Sequence, residues 1–319
     1  MVLLLTGTAS GKEREIIPDV ICREKPTCRL TLLAKLPHAP FPYEGMVGDT
    51  DQPFFEYDLD TDQRFHIVGT SRKIPEFPHF RDNRVLIHLP PSFQPDKTFA
   101  ILVFFHGHYT EIRRTLVKEM ALLQQANAIG LNLVLIAPQM ALNTADSSPG
   151  KLYCRLGLAR MLEDVSQVLQ MKLGPRIATR FDQAPVILAA YSGGYRALAY
   201  SLDRGLDPQQ SERLRGVVLL DALYGDLDKF DAWLQQPGNQ FFVNLHGPSS
   251  TPRTEELKKT LRERGQDWSN SLFLKDKTRT QKRIIFLSVK THHKQVFLDG
   301  PPAWPLSEIL KKTAMDAVN

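Results

Sequence analysis

Six short apolar runs follow one another along the chain from residue 99 onward. Each is five to seven residues long, and the runs are 99–105, 131–137, 185–190, 216–220, 241–245 and 284–289. Short runs that are apolar throughout and rich in β-branched residues are typical of strands buried on both faces of a parallel sheet. The runs therefore predict a buried, mostly parallel sheet.

Stretches with helical periodicity separate these runs. They cover 111–128, 156–173, 195–202, 228–234 and 254–264, and a last one at 305–317 opens with a proline. Alternation of strands and helices calls for right-handed crossovers, which place helices on both faces of the sheet. We therefore expect an α/β fold with a mostly parallel central sheet between two helical layers.

The first 80 residues lack this alternation. They contain many prolines, scattered aromatic residues and few periodic stretches. We expect residues 1–80 to form an irregular N-terminal extension that packs on a main domain of residues 81–319. Two segments, 65–68 and 84–89, predict short edge strands that enter the sheet.

The chain is only mildly basic, with a net charge of +5. Basic and acidic residues are interspersed except in 275–283, which is typical of a solvated loop before a strand. Because no nucleic-acid recognition module accompanies the charge, we expect no nucleic-acid partner. No run approaches the roughly 18 apolar residues that span a bilayer, so we expect no transmembrane segment. The sequence carries no signal for an oligomeric state.

The cysteines and the first residues give indications of the cellular compartment of the protein. Cys22 and Cys28 lie close together and would form a disulfide in an exported protein, leaving Cys154 unpaired; three free thiols are the alternative. Residues 1–11 are too short for a signal peptide but resemble the end of one. This favours an exported protein, periplasmic or secreted, with a cytoplasmic location as the alternative.

Ser192 stands at a strand-to-helix junction among very small residues. The sequence Ala-Tyr-Ser-Gly-Gly covers 190–194, at the end of an apolar run. A sharp turn between strand and helix brings the two backbones close, so only small neighbours fit, and the serine hydroxyl is exposed at its apex. Ala190 replaces the first glycine of the usual Gly-x-Ser-x-Gly pattern and still meets this demand. The junction predicts a nucleophilic serine; an ordinary turn serine is the alternative.

Functional residues of such a sheet gather at the carboxyl ends of its strands. In chain order the runs end in His106-Gly107-His108, Gln139, Ser192, Asp221, His246 and His292-His293. A serine, an acid and a histidine therefore follow one another along the chain at one expected edge of the sheet.

At these residues the chain resembles the α/β-hydrolase superfamily, over roughly residues 84–319. The resemblance implies an α/β-hydrolase fold, with Ser192 as the nucleophile, Asp221 as the acid and His293 as the base. His292 is the alternative base. Each role answers a chemical need, because a serine hydroxyl is a poor nucleophile until a histidine accepts its proton and a carboxylate orients that histidine.

The position of the acid departs from the usual pattern. The acid of the superfamily usually follows the seventh strand, where this chain has His-Gly-Pro-Ser-Ser-Thr at 246–251 and no carboxylate before Glu255. Asp221 follows the strand before it, a placement also found in some members of the superfamily. Asp226, further along the same loop, is the reserve candidate, and a loop-capping role for Asp221 is the alternative.

The resemblance also implies an oxyanion hole. Gly193 supplies one backbone N–H at a helix N-terminus, and the His106-Gly107-His108 loop supplies the second, with His108 as the expected donor. These histidines could instead form a zinc site with 292–293. No helical His-x-x-x-His pair and no cysteine ligand set supports this, so we expect no metal and no cofactor.

We therefore expect a serine hydrolase that cleaves a small-molecule carboxylic ester through an acyl-enzyme on Ser192. An amidase or peptidase with the same triad is one alternative, since the same histidine can protonate an amine. A hydrolase-like protein that has kept the fold only for binding is the other. Ser147 and Ser148 lie in a loop without such a junction and are expected to shape the pocket or a turn.

Overall fold

The computed structural model describes residues 19–25, 28–238, 240–272, 282–298 and 304–314. Three predictions fall wholly or partly outside the described residues. They concern the signal-like segment at 1–11, most of the basic run at 275–283 and the end of the helix expected at 305–317.

Twelve strands form two sheets in the described part of the chain. They are β1 Asp19–Lys25, β2 Cys28–Lys35, β3 Glu56–Asp58, β4 Gln63–Val68, β5 Arg72–Pro75, β6 Arg84–Leu89, β7 Ala100–Phe105, β8 Leu133–Pro138, β9 Val186–Tyr191, β10 Leu214–Leu220, β11 Phe241–His246 and β12 Arg283–Ser288. The main sheet has the order β1-β2-β6-β8-β7-β9-β10-β11-β12, and β3, β4 and β5 form a separate small sheet.

Six neighbouring strands of the main sheet run parallel, and they correspond to the six apolar runs of the sequence. Strands β6, β2 and β1 extend the sheet antiparallel beyond β8. The chain passes from β7 outward to β8 and then returns to β9 on the other side of β7. The carboxyl ends of β7 and β9 thus flank the point where the strand order reverses, which is where open α/β sheets place their sites.

Nine α-helices accompany these strands in the described residues. They are α1 Glu76–His79, α2 Leu122–Ala128, α3 Gly157–Leu173, α4 Arg176–Gln183, α5 Tyr195–Arg204, α6 Pro208–Ser211, α7 Leu227–Gln235, α8 Thr251–Glu263 and α9 Pro305–Thr313. Helices α3, α4, α5, α7 and α8 cover one face of the main sheet, and α2 and α9 cover the other.

Two hydrophobic cores lie on the two faces of the main sheet. Successive side chains of a strand point to opposite faces, so in β7 Ile101 and Val103 join one core while Leu102 and Phe104 join the other. Every residue of β7 and β8 is buried, as continuous apolar runs require. The predicted α/β class, with a mostly parallel sheet and helices on both faces, is confirmed.

The helix expected at 111–128 is divided in two. Ile112–Glu119 forms a π-helix, and α2 begins only at Leu122, because Ala121 between them is left-handed with a φ of 50°. The backbone N–H of Met120 donates to the carbonyl of Thr115, which closes the wide last turn of the π-helix. The apolar period of the sequence continues across this break, so periodicity alone did not reveal it.

The N-terminal region differs from the prediction in its strands. Segment 84–89 is β6, which lies between β2 and β8 inside the main sheet, so the prediction of an edge strand there is wrong. Its residue His88 is buried rather than exposed, and its Nδ1 is hydrogen-bonded to Thr31 Oγ1 at 2.8 Å. Segment 65–68 lies in β4, the central strand of the small sheet, so the prediction of an edge strand of the main sheet is wrong there too. The division of the chain near residue 80 stays a prediction, although β2 is regular and belongs to the main sheet.

An aromatic cluster joins the small sheet to the rest of the protein. Phe41, Phe54 and Phe80 pack in a third core with Tyr153 and Tyr200. The rings of Tyr153 and Tyr200 meet edge to face with their centroids 4.7 Å apart. The small sheet is thereby packed beside α5, the helix that follows Ser192.

The cysteines follow the first of the two expected arrangements. Cys22 and Cys28 form a disulfide that closes the β1–β2 hairpin, and Cys154 is free. In the described part of the chain no helix is both long enough and apolar enough to cross a membrane.

Candidate active site

Ser192 occupies the apex of the turn between β9 and α5. Its φ of 53° lies in the left-handed region, which costs energy for a residue other than glycine. A Cβ at Gly194 would lie 2.3 Å from the carbonyl oxygen of Phe105, and a Cβ at Gly107 would lie 2.6 Å from the Cβ of Ser192. Only glycine fits at either position, which gives the small residues of this turn a steric reason.

His293 lies against Ser192 at the start of a short 3₁₀ turn after β12. Its Nε2 is 2.8 Å from the Oγ of Ser192, and its Nδ1 is 2.6 Å from Oδ2 of Asp221. With Nδ1–H donating to the carboxylate, Nε2 is free to accept the serine proton. His292 is exposed to solvent and takes no part in these contacts within the described residues. The structure therefore brings His293, not His292, to Ser192.

Asp221 directly follows β10 and is fully buried. Its φ of 44° turns the chain out of the strand, and its backbone N–H donates to the carbonyl of Leu245 on the neighbouring strand β11. This places the carboxylate between the ends of the two strands, facing His293. Asp226 is paired instead with Arg196, with 3.2 Å between Oδ2 and Nε. Of the two candidate acids, only Asp221 reaches the histidine.

The Asp221 carboxylate receives donors from several groups. Burial would raise the pKa of Asp221, but hydrogen bonds from His293, from the Ser250 hydroxyl and from the Gly247 N–H outweigh it and lower that pKa to about 2. The Gly247 N–H lies 3.0 Å from Oδ1, and the Ser249 hydroxyl lies 3.1 Å from Oδ2. Asp221 is therefore ionised at neutral pH.

The loop after β7 lies over the nucleophile turn. The His106 Nδ1–H donates to the carbonyl of Gly107 at 2.8 Å. In a trans peptide the next N–H points the opposite way, so the His108 N–H faces away from the buried His106 ring. No acceptor among the described residues pairs with this N–H. Gly193, the other expected donor, lies in the turn just after Ser192.

His106 is a structural histidine rather than a ligand. Its Nε2 accepts hydrogen bonds from the Met140 backbone N–H at 2.9 Å and from the Gln139 amide at 3.0 Å. Burial lowers the pKa of His106 to about 4, so the ring is neutral. The loop that carries His108 is thereby held to the end of β8.

Tyr191 packs against His293. Its ring stacks on the His293 imidazole, with 5.0 Å between centroids and an interplanar angle of 12°. Its hydroxyl donates to the His293 carbonyl oxygen at 3.1 Å. Burial raises the pKa of Tyr191, so the hydroxyl stays protonated and keeps this hydrogen bond.

A cleft of about 550 Å³ opens beside Ser192. Its walls include Tyr109, Met120, Phe297 and Leu298, which present apolar surface. This volume lies within the range of small-molecule sites, which runs from roughly 300 to 1,000 Å³. The cleft can therefore hold an organic group next to the serine hydroxyl.

Ser147 and Ser148 lie in a loop on the other side of the nucleophile. The Ser147 hydroxyl is 2.8 Å from Nε2 of His108. Ser148 donates to Asp146 Oδ1 at 2.9 Å and lies 3.2 Å from Nε2 of His66 in the small sheet. The loop thus links the small sheet to the residue expected to line the oxyanion hole.

Several residues at the site were not predicted. Tyr191 and Tyr224 flank the histidine, and Ser249 and Ser250 bind the acid. One signal was present in the sequence, because the segment 246–251 lacks a carboxylate but is rich in hydroxyl groups. A loop rich in hydrogen-bond donors at the position where an acid is expected indicates that the loop binds a carboxylate from another part of the chain.

Among the described residues, no group of three or more His, Cys, Asp or Glu side chains is placed to hold a metal ion. His106 and His108, considered as zinc ligands, are bound to protein partners on Met140 and Ser147.

Comparison with known proteins gives matches in structure alone. No protein-family model and no curated protein sequence matches the chain. The structures that it resembles include a mutant feruloyl esterase module from Clostridium thermocellum complexed with sinapinate, with 10% identity, a TM-score of 0.49, and coverage of 74% of this chain and 84% of that one.

Two further structures are similar to the chain over most of their length. An S-formylglutathione hydrolase from Agrobacterium tumefaciens has 10% identity and a TM-score of 0.49, with coverage of 94% of this chain and 100% of that one. Brefeldin A esterase, a bacterial homologue of human hormone-sensitive lipase, has 14% identity and a TM-score of 0.43, with 74% and 73% covered. The chain thus has an α/β fold with a mostly parallel sheet, and the solved structures to which it is similar are those of esterases and hydrolases.

Proposed function

We propose that the protein is a serine hydrolase that cleaves carboxylic esters through an acyl-enzyme on Ser192. The observation that carries the proposal is the unbroken hydrogen-bonded path from Ser192 through His293 to Asp221, with distances of 2.8 and 2.6 Å. A nucleophile, a base and an orienting acid in this order are what acyl transfer to serine requires.

In the first step the Ser192 oxygen attacks the ester carbonyl carbon while its proton passes to Nε2 of His293. The C=O π bond breaks and its electron pair becomes the oxyanion of a tetrahedral intermediate. The imidazolium that forms is stabilised by the Asp221 carboxylate at Nδ1. When the C–O bond to the alcohol breaks, His293 returns the proton to the leaving alkoxide, and the acyl group stays on Ser192.

The oxyanion is stabilised by two backbone N–H groups in this proposal. Gly193 lies at the start of the helical turn that leads into α5, so the helix dipole adds to its N–H. The close approach of Gly107 to the Ser192 side chain supports the second donor, the His108 N–H, because it brings the peptide between Gly107 and His108 near the reacting carbon. Water then attacks the acyl-enzyme by the same route in reverse, with His293 as the base.

The class of substrate follows from the leaving group and the cleft. Alkoxides are expelled more easily than amide nitrogens, which favours an ester over an amide. The apolar side chains of Met120 and Phe297, which line the cleft together with polar residues such as Glu119, favour an apolar group on one side of the ester. No cofactor takes part in these steps.

Hydrolysis of a chain-length series of p-nitrophenyl esters tests the proposal. We expect turnover in the wild type, and a loss of about 10³-fold or more in kcat for Ser192→Ala, because removal of the nucleophile leaves only binding and oxyanion stabilisation. Ser211→Ala, on the exposed helix α6, is the matched control and should keep full activity.

Labelling with a fluorophosphonate probe separates the enzyme from a binding protein. We expect the probe on Ser192 in the wild type and no labelling of Ser192→Ala. A folded wild type that neither turns over esters nor takes the probe would reject the proposal in favour of a binding protein. Labelling without ester turnover would instead point to an amide substrate.

A further inference from the structure

Asp221 is held by the loop that follows β11, which carries no acid of its own. We propose that Tyr224, Ser249 and Ser250 are positioning residues of the reaction, which hold the Asp221 carboxylate in place against His293. Together with the Gly247 N–H they are called the acid cradle below. The inference rests on the proposed function, because positioning has meaning only for a triad that reacts.

The strand pairing explains why the cradle forms. Strands β10 and β11 are parallel neighbours, and Leu220 pairs with Leu245 at their carboxyl ends. The residues after each strand are therefore adjacent, and the Asp221 N–H donates to the Leu245 carbonyl. A Cβ at Gly247 would lie 3.1 Å from Asp221 Oδ2, so the loop passes as close to the carboxylate as a glycine allows.

Both carboxylate oxygens are occupied. Oδ1 accepts hydrogen bonds from the Ser250 hydroxyl and the Gly247 N–H. Oδ2 accepts from Ser249 and from Nδ1 of His293. A carboxylate has about four lone-pair sites, so these donors use its full capacity and leave no room for rotation about the Cβ–Cγ bond without losing one of them.

Tyr224 completes the cradle from the open side. Its hydroxyl is 3.0 Å from Ser249 Oγ and 3.3 Å from Nδ1 of His293. Because the Ser249 proton goes to Asp221, the Tyr224 proton is the one that joins the two hydroxyls. Burial is the main cause that raises the pKa of Tyr224 to about 12, so the hydroxyl remains protonated and can donate.

The charged and titratable groups around Asp221 come from several elements. His293 contacts it directly, Tyr224 lies on its own loop, Tyr191 lies on β9 and His246 ends β11. Burial lowers the pKa of His246, which keeps that ring neutral at ordinary pH. The neutral hydroxyl and amide donors of the cradle thus share the task of stabilising the carboxylate charge with His293.

A titration of the Asp221 carboxyl carbon by NMR tests the inference without any need for turnover. In the wild type we expect Asp221 to stay ionised from about pH 8 down to about pH 4, since its donors hold its pKa below the ordinary Asp value of roughly 3.9. Ser250→Ala removes a donor from a buried carboxylate, so burial dominates and the acid dissociation constant should fall by about tenfold or more.

Two milder variants guard against a failure of Ser250→Ala to fold. Ser249 is exposed and Tyr224 is half-buried, so Ser249→Ala and Tyr224→Phe remove one hydroxyl each with little loss of packing. Each should lower the acid dissociation constant of Asp221 by about threefold. Tyr195→Phe is the matched control: its hydroxyl bonds Arg196, its ring lies 6.0 Å from that of Tyr224, and Asp221 should titrate as in the wild type.

Kinetics supply the second readout. Ser250→Ala should lower kcat by about tenfold with KM unchanged, because the cradle acts on the imidazolium of the transition state and not on substrate binding.

The outcomes separate this inference from the proposed function. Asp221 titration that is the same in the wild type, Ser249→Ala and Tyr224→Phe would overturn the cradle, whatever the activity. A shifted titration in a protein that turns over no ester would leave the cradle intact as a structural feature and would reject the positioning role with the proposed function. A shifted titration with an unchanged kcat would also reject the positioning role.

Discussion

Ser192 and Asp221, the proposed nucleophile and acid, are held in place by different means. At the Ser192 turn, steric contacts with the backbone restrict which residues fit, because a Cβ on Gly194 would lie 2.3 Å from the Phe105 carbonyl oxygen. At Asp221, hydrogen bonds hold the side chain in place, since its carboxylate accepts them from donors on the neighbouring loop. A steric constraint permits one kind of residue, whereas a set of donors can be assembled from many. The sequence around Ser192 therefore has a recognisable pattern, whereas the sequence around Asp221 has none.

Substitution of His293, which contacts both Ser192 and Asp221, should have the largest effect on kcat. His293→Ala should lower kcat by about 10⁴-fold, because neither the serine nor the acid acts without the base between them. His292→Ala should stay within about threefold of the wild type, since His292 is exposed. Steady-state kinetics on a p-nitrophenyl ester measure both variants. Equal losses in the two would show that the histidines exchange roles in solution.

Replacement of Asp221 tests its proposed role as the acid. Asp221→Asn should lower kcat by about 10³- to 10⁴-fold, because the amide no longer fixes the tautomer or stabilises the imidazolium. Asp226→Asn is the matched control, since that carboxylate pairs with Arg196 and should affect kcat by less than about threefold. If Asp226→Asn is the more damaging of the two, the acid assignment is wrong.

Alanine substitutions at Gly194 and Gly247 compare the steric constraint at the Ser192 turn with the hydrogen-bonded one at Asp221. Gly194→Ala should lower the free energy of unfolding by about 2 kcal/mol or more, because the new Cβ meets backbone that cannot move aside. Gly247→Ala places a Cβ 3.1 Å from the Asp221 carboxylate, so it should cost less stability and act mainly on kcat. Urea denaturation measures the first effect and ester turnover the second. If Gly194→Ala were as stable as Gly247→Ala, the claim that steric contacts constrain the Ser192 turn would be wrong.

The two regions should also differ in their response to acid. His106, which supports the loop over the nucleophile, has a pKa lowered by burial to about 4, below its unfolded value of roughly 6.5. Protonation therefore favours the unfolded chain, and stability is lost as pH falls through this window. We expect His106 alone to contribute a loss of about 2 kcal/mol between about pH 7.5 and pH 5. The Asp221 carboxylate, with its pKa near 2, contributes no change there.

Denaturant unfolding at the two pH values measures this loss. His88 is the internal comparison, because burial also lowers its pKa to about 4 although it lies far from the site in β6. His106→Gln and His88→Gln should each reduce the pH dependence by a similar amount. A wild type whose unfolding free energy is flat across the window would contradict the neutral state of both rings.

Much of the fold could be predicted because burial on both faces leaves long apolar runs. All six runs became parallel strands, and the turn at Ser192 was visible because glycine is required there. Strand β6 was harder, since its polar residues imitate an edge strand while His88 is buried on Thr31. Long-range partners of that kind lie 57 residues apart in the sequence and leave no local pattern.

The site was predicted unevenly for the same reason. Ser192, His293 and Asp221 follow strands, so the topology brought them to one edge. The choice between His292 and His293 depended on the direction of one side chain, which spacing does not encode. Ser249 and Ser250 went unrecognised because serine is common in loops, and only the fold showed that their hydroxyls face Asp221.

The small sheet has a consequence for how reactivity can change. His66 of β4 contacts Ser148, and Arg72 of β5 donates to the carbonyl of Ala145, in the loop whose Ser147 contacts His108. Substitutions between β2 and β6 can therefore shift the loop beside the nucleophile while the triad itself stays the same. Natural selection or protein engineering can therefore alter the activity at Ser192 through substitutions in this segment, without a change in Ser192, His293 or Asp221.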